Sequence, residues 1–153
     1  EVSPHGITVK GVTASGTPYE NKLVEIGEWG DTTPTHIPLA LGTKCDVYDT
    51  SGYWQVPHAI SEISGHVSLG GLVRIDSGQT LVANDVIATL PEGVRPEGAG
   101  IFIVPSYAGA MRVDVKPTGE ITVGVMQSGV QQSTLWVSLE GIRFVAAVDT
   151  LEE

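Results

Sequence analysis

Short apolar segments separated by glycine and proline are the feature that most limits the folds open to this chain. Its 153 residues include 19 Gly and 9 Pro, which favour turns because Gly reaches left-handed conformations and Pro fixes φ. Between these turns apolar and polar residues alternate, as in ITVKGV at 7–12, and this period of two is typical of half-buried strands. We find no persuasive helical repeat of apolar residues with caps. The sequence therefore predicts an all-β fold, either a β-sandwich or a jelly roll.

The same pattern divides the rest of the chain into predicted strands. The clearest hairpin joins the alternating residues 111–115 to 120–125 through the PTG turn at 117–119. The apolar run IFIV at 101–104 is typical of a central strand of a sandwich. In the closing segment, three residues are expected in or beside the core: Trp136, Leu139 and Phe144. Further strands are predicted at 23–26, 45–48, 54–56, 66–75 and 86–90.

Charge and composition exclude several classes of partner. The formal net charge is −10, and 41% of the residues are hydrophobic against 17% charged. Phosphate backbones repel an acidic surface, so we expect no nucleic-acid partner. Anionic lipid is disfavoured for the same reason, and no apolar run reaches membrane-spanning length, so no membrane insertion is expected. The first residue is Glu1 rather than Met, which is what we expect of a piece of a longer polypeptide.

The residues that usually carry chemistry form no recognised pattern. Cys45 is the single cysteine, which leaves it no intrachain disulfide partner, and we expect a small buried apolar residue because Lys44 would point to the opposite face of a strand. His58 and His66 could bind a metal only if both faced one cavity. No G-x-S-x-G elbow, phosphate-binding loop or EF-hand series occurs. The sequence therefore predicts no metal, no cofactor and no catalytic residues, and a protein that is not an enzyme.

Aromatic side chains beside polar ones suggest a binding surface instead. They cluster in the Gly- and Pro-rich segment 27–38 and around the turn at 49–52. Rings stack on the apolar faces of sugars while polar neighbours bind the hydroxyls; alternatively, such rings cover an open sheet end or a subunit contact. The predicted partner- or glycan-binding residues are Trp29, Asp31, Tyr48, Asp49, Tyr53 and Trp54.

Four motifs occur in a particular order. They are GHVSLGGLV at 65–73, ATLPEGVRP at 88–96, RVDV with GEI between 112 and 121, and WVSLEGIRF at 136–144. This order resembles a family of β-rich domains found at the tips of bacteriophage tail fibres and in related virion surface proteins. The resemblance covers residues 53–144, and Val94 stands where the family often has an aromatic residue. It implies a virion surface protein that binds without turnover, typically as a homotrimer.

Three functions are open at this point. The resemblance favours the receptor-binding tip domain of a tail fibre or minor tail protein, with a host cell-surface glycan or protein as partner. A capsid decoration (cement) protein that clamps neighbouring capsid subunits is the alternative, and a small β-fold hydrolase is a third. Residues 1–50 match no motif and are expected to be an N-terminal β segment for docking or next to a fibre shaft. Residues 51–153 are expected to form the phage-type sandwich, the two together making one compact unit.

Overall fold

The described part of the chain is entirely β. A computed structural model describes residues 2–3, 6–12, 18–22, 33–48, 56–125 and 133–148. These residues form antiparallel strands and contain no helix, so the all-β class predicted from the alternating pattern is confirmed. Within these ranges, no helix has the length and apolar character needed to cross a membrane.

Two compact units make up the chain, Glu1–Pro34 and Thr35–Glu153. Sequence reasoning instead placed a division near residue 50. In the structure, residues 35–47 supply three strands to the sheets of the larger unit. The roles expected for residues 1–50 and 51–153 stay predictions. The smaller unit contains a sheet of order β1-β2-β3, formed by β1 Val2–Ser3, β2 Gly6–Val12 and β3 Pro18–Lys22.

The larger unit contains two antiparallel sheets built from distant parts of the chain. Their orders are β5-β10-β13-β12-β11-β14-β9-β6 and β15-β8-β7-β4. The eight-stranded sheet consists of β5 Ala40–Leu41, β6 Cys45–Val47, β9 Leu72–Ile75, β10 Val86–Thr89, β11 Gly100–Ser106, β12 Gly109–Val115, β13 Glu120–Val123 and β14 Trp136–Ser138. The four-stranded sheet consists of β4 Thr35–Pro38, β7 His58–Ser61, β8 His66–Gly70 and β15 Arg143–Val145.

Most of the predicted strands are present. The strands predicted at 7–12, 45–48 and 86–90 correspond to β2, β6 and β10, and the predicted hairpin is the antiparallel pair β12–β13. The strand predicted at 23–26 lies outside the described residues, as does that at 54–56 apart from Val56.

The eight-stranded sheet nearly closes on itself. Its two outermost strands, β5 and β6, follow each other in the chain and are joined by the turn at 42–44. The Gly42 amide donates to the Ile87 carbonyl (2.9 Å) and the Asp76 amide to the Lys44 carbonyl (2.8 Å). The Lys44 ammonium also lies 2.7 Å from the Asp85 carboxylate. One short turn therefore ties both edges of the sheet together.

A single hydrophobic core lies between the two sheets of the larger unit. It joins Ala59 and Val67 of the four-stranded sheet to Val73 and Val113 of the eight-stranded sheet, and all four side chains are fully buried. Packing across the two sheets explains why strands far apart in sequence stay together, because burial of apolar surface is the dominant favourable term in folding.

The closing segment confirms part of the expected core and corrects one residue. Leu139 is fully buried and Phe144 packs against the core. Trp136, in contrast, is only half-buried and lies outside the core cluster. Its neighbour Val137 pairs with Val73 across β14 and β9, and both face inward. Alternation along the strand therefore directs Trp136 to the outer face of the sheet.

Residues 66–75, predicted as one strand, form two strands in different sheets. The chain leaves β8 and enters β9 at Gly71, where φ is +99°. A Cβ at this position would lie 2.6 Å from the Cα of Pro57. The break occurs because only glycine combines that left-handed backbone with so close an approach of another chain segment.

Strand β11 exists where it was predicted, but it is not buried on both faces. Ile101 and Ile103 are 63% and 59% exposed, whereas Val104 is buried. β11 pairs with β12 through all seven residues and with β14 only through Ser106. The prediction took a continuous apolar run to mean that the strand is buried on both faces, but one face of β11 is exposed.

Candidate functional site

The outer face of the eight-stranded sheet places side chains from three strands, β6, β9 and β14, in two rows. In the first row Arg74 pairs with Asp46 on β6 and with Trp136 on β14, and the Tyr107 amide donates to the Trp136 carbonyl at 3.0 Å. The second row contains the residues that stand two positions from Arg74 in β9 and from Trp136 in β14. There Ser138 pairs with Leu72. Because side chains two apart share a face, both rows face away from the core.

A cleft of about 440 Å³ opens along the second row. It combines two aromatic rings, two aliphatic side chains and the hydroxyl groups of a tyrosine and a serine. The Ser138 hydroxyl accepts a hydrogen bond from the Glu140 amide at 3.2 Å, which leaves its own proton available to a ligand. The residues that line the cleft are Tyr48, Leu72, Pro105, Trp136 and Ser138.

Charged groups lie beside the cleft rather than in it. The Arg74 guanidinium donates to the Asp46 carboxylate at 2.8 Å, and both side chains are largely exposed. An exposed pair of this kind contributes little to stability, so its groups can exchange partners at small cost. The arrangement suits a ligand with apolar faces and peripheral hydroxyl groups, because rings provide contact area and the rim provides hydrogen bonds.

Of the six binding residues predicted from the sequence, Tyr48 lies in this cleft. Trp29, Asp31, Asp49, Tyr53 and Trp54 lie outside the described residues, and their part in binding stays a prediction. Sequence reasoning missed the other four residues of the cleft, Trp136, Leu72, Pro105 and Ser138. The alternation in WVSL at 136–139 could have located Trp136. Val137 and Leu139 are the two apolar residues that point inward, so Trp136 lies on the other face together with the polar Ser138.

The single cysteine lies at the edge of the core and is not activated. Cys45 is partly buried and packs against the core cluster. Burial raises the pKa of the Cys45 thiol to about 11, with further increases from the nearby Asp76 and Asp85 carboxylates. The Lys44 ammonium opposes this rise, but it already donates to Asp85 at 2.7 Å. The thiol is therefore protonated, and a poor nucleophile, at neutral pH.

The pKa of Asp85 is shifted downwards, in contrast to that of Cys45. Burial by itself would raise the pKa of the Asp85 carboxyl, but the hydrogen bonds from Lys44 and from the Val82 amide, together with the charge of Lys44, hold it below its ordinary value. The Lys44–Asp85 contact is thus an ion pair at neutral pH. It ties the 42–44 turn to the loop that precedes β10.

His58 and His66, the two histidines considered as metal ligands, make separate hydrogen bonds, and the ring of His58 lies 5.5 Å from that of His36. His58 donates from Nδ1 to the Val56 carbonyl at 2.7 Å, and the His66 ring bonds to the Ser64 hydroxyl at 3.0 Å. Across residues 33–48, 56–125 and 133–148, we find no group of three or more His, Cys, Asp or Glu side chains that could hold a metal ion.

Comparison with known proteins adds no assignment. No protein-family model matches the chain, and no curated protein or solved structure shows significant similarity to it.

The raised pKa of Cys45 predicts a pH-dependent contribution to stability. The folded thiol keeps its proton to about pH 11, whereas the unfolded thiol loses it near pH 9.0. The stability linked to this thiol is therefore complete below pH 9 and falls as the pH rises towards 11. We expect the difference in free energy of unfolding between the wild type and Cys45→Ser to shrink over that window. Urea denaturation of both proteins at several pH values measures it, since other groups titrate alike in the two chains. A difference that stays constant would contradict the prediction.

Proposed function

We propose that this chain is a non-enzymatic phage virion surface protein. Its larger unit is then a β-sandwich that acts as the receptor-binding tip domain of a tail fibre or minor tail protein and works as a homotrimer. The cleft lined by Tyr48 and Trp136 is the place where a host cell-surface glycan docks. The observation that carries the proposal is the pair of rings at an open cleft on the outer face of a sheet. The ordered motifs between residues 65 and 144 support the phage assignment.

The composition of the cleft favours a sugar. The rings of Trp136 and Tyr48 offer flat apolar area with few rotors to immobilise, which lowers the entropic cost of binding. Ser138, Arg74 and Asp46 supply donors and acceptors for hydroxyl groups at the rim. The net charge of −10 disfavours polyanionic ligands. A neutral host polysaccharide is therefore the ligand class we propose.

The runner-up function is capsid decoration. It requires a surface that packs against another protein, and the exposed apolar side chains of β11 would provide one. A β-fold hydrolase, the third class, has no comparable feature in its favour among the residues that the structure describes.

Removal of rings from the cleft tests the proposal. We expect Tyr48→Ala with Trp136→Ala to lower affinity for immobilised neutral polysaccharides by about tenfold or more, as for aromatic hot spots. The melting temperature should change little because neither ring belongs to the core. Trp136→Phe is the matched control, since it keeps an aromatic face and should keep most of the binding.

A second pair of substitutions separates this site from the one predicted in the N-terminal loops. Trp29→Ala with Tyr53→Ala should leave polysaccharide binding intact if the cleft is the site. Loss of binding in this pair alone would place the site in the segments around residues 27–38 and 49–54. Failure of the wild type to bind any neutral polysaccharide, combined with binding to undecorated capsids, would favour the decoration function.

A further inference from the structure

Glu140 lies beside the cleft without lining it, and it bonds to two chain segments that do line it. Its backbone amide donates to the Ser138 hydroxyl at 3.2 Å. Its side-chain Oε1 accepts a hydrogen bond from the Gly71 amide at 3.1 Å. Ser138 lines the cleft, and Gly71 directly precedes Leu72, which lines it as well. One residue in the turn after β14 therefore connects the Ser138 hydroxyl to the segment that carries Leu72.

The Glu140 carboxylate has a defined place although the residue itself is exposed. Gly71 is buried, and a buried amide that loses its partner is costly, so the bond to Oε1 is favoured. A Cβ on Gly70 would lie 2.9 Å from the same oxygen, which shows that the carboxylate packs against the backbone at 70–71. The Leu139 amide donates to the Gly71 carbonyl at 3.0 Å. Both polar backbone groups of Gly71 are thus bonded to residues 139–140.

These bonds determine where the Ser138 hydroxyl stands. A serine hydroxyl can occupy three staggered positions, and the bond from the Glu140 amide favours one of them. The position of that amide depends in turn on the carboxylate that holds the turn to Gly71. A group that is already ordered loses less conformational freedom when a ligand binds, and this preorganisation increases affinity.

We propose that Glu140 is a positioning residue of the cleft, which orients the Ser138 hydroxyl towards a bound sugar. The inference rests on the proposed function and deepens it by adding a residue that acts on the ligand only through Ser138. The acceptor oxygen at the end of the side chain has to reach Gly71, so the length of the side chain matters and its charge does not. An amide oxygen at the same distance can take the place of the carboxylate.

Two substitutions of Glu140 separate length from charge. Glu140→Gln removes the charge but keeps the length and an acceptor oxygen, and it should keep most of the affinity. Glu140→Asp keeps the charge but is one methylene group shorter, and it should lower affinity by about three- to tenfold, as expected for the loss of one hydrogen bond. Aspartate is common in turns, so this variant should fold. Circular dichroism checks folding, and affinity is measured on whichever of immobilised dextran, mannan and galactan the wild type binds most tightly.

A double-mutant cycle shows whether Glu140 acts through Ser138. Ser138→Ala should lower affinity to a similar extent, and Glu140→Asp added to it should lower affinity no further, because residues that act as one unit are not additive. A role in stability alone would leave the affinity of the folded variants unchanged. Unchanged affinity in Glu140→Asp, or additive losses in the cycle, would overturn the inference and leave glycan binding intact. A wild type that binds none of the three polysaccharides would overturn both.

Discussion

Gly71→Ala is expected to lower the free energy of unfolding by at least about 3 kcal/mol, a large share of the total stability of an ordinary domain. An alanine there must adopt a φ of +99°, and its Cβ would lie 2.6–2.8 Å from backbone atoms of Pro57 and Val56. Neither the backbone strain nor the clash can relax without separating β8 from β9, which belong to different sheets.

Gly78→Ala is the matched control for this substitution. Gly78 also has a left-handed φ of +81°, but nothing lies within 4 Å of an added Cβ. Only the backbone cost of about 1–2 kcal/mol should appear. Urea denaturation of the two variants separates the clash from the strain. Equal losses would show that the close approach to Pro57 contributes nothing.

Leu139→Ala is expected to cost about 2–5 kcal/mol, the range for removing a large aliphatic side chain from a packed core. Leu139 is completely buried and belongs to the core that both sheets share. Leu135→Ala, four residues earlier, should cost less than about 1 kcal/mol, because Leu135 is 47% exposed. Thermal or chemical denaturation measures both. If Leu135→Ala lowers the free energy of unfolding as much as Leu139→Ala does, the assignment of Leu139 to the core and of Leu135 to the surface is wrong.

Local alternation was sufficient to predict the strands but not the sheet to which each strand belongs. The pattern of GHVSLGGLV at 65–73 is continuous through Gly71, so nothing in it distinguishes one long strand from two short ones. The break depends on the approach of Pro57, which is distant in sequence. By contrast, the β12–β13 hairpin was predictable because its alternation and its turn are both local.

The sequence also did not show whether one face or both faces of a strand are buried. The run IFIV at 101–104 has the composition of a strand covered on both sides, yet coverage depends on which strands lie beside β11, and β14 reaches only Ser106. Trp136 was assigned to the core because it stands in an alternating strand, without a decision on which residues of that strand point inward. The alternation of Val137 and Leu139 with Ser138 was the better guide to its direction.

The cleft could be predicted only in part for a similar reason. Tyr48 was identified by its aromatic ring near polar residues, a local signal. Leu72, Pro105 and Trp136 reach the same place only through the register of β9, β11 and β14. No spacing along the chain reveals that these three residues are neighbours.

The position of β14 determines when this unit can be completed during synthesis. It is the last strand of the eight-stranded sheet to leave the ribosome, yet it lies between β11 and β9 rather than at an edge. Until Trp136–Ser138 emerges, β9 and the end of β11 lack their shared neighbour, although the 42–44 turn already connects the opposite edges. The last event in this sheet is the insertion of β14 into the gap between β11 and β9. Nascent chains that meet before that insertion have two strand edges at which to exchange β14, so this sheet is most exposed to mispairing just before β14 joins it.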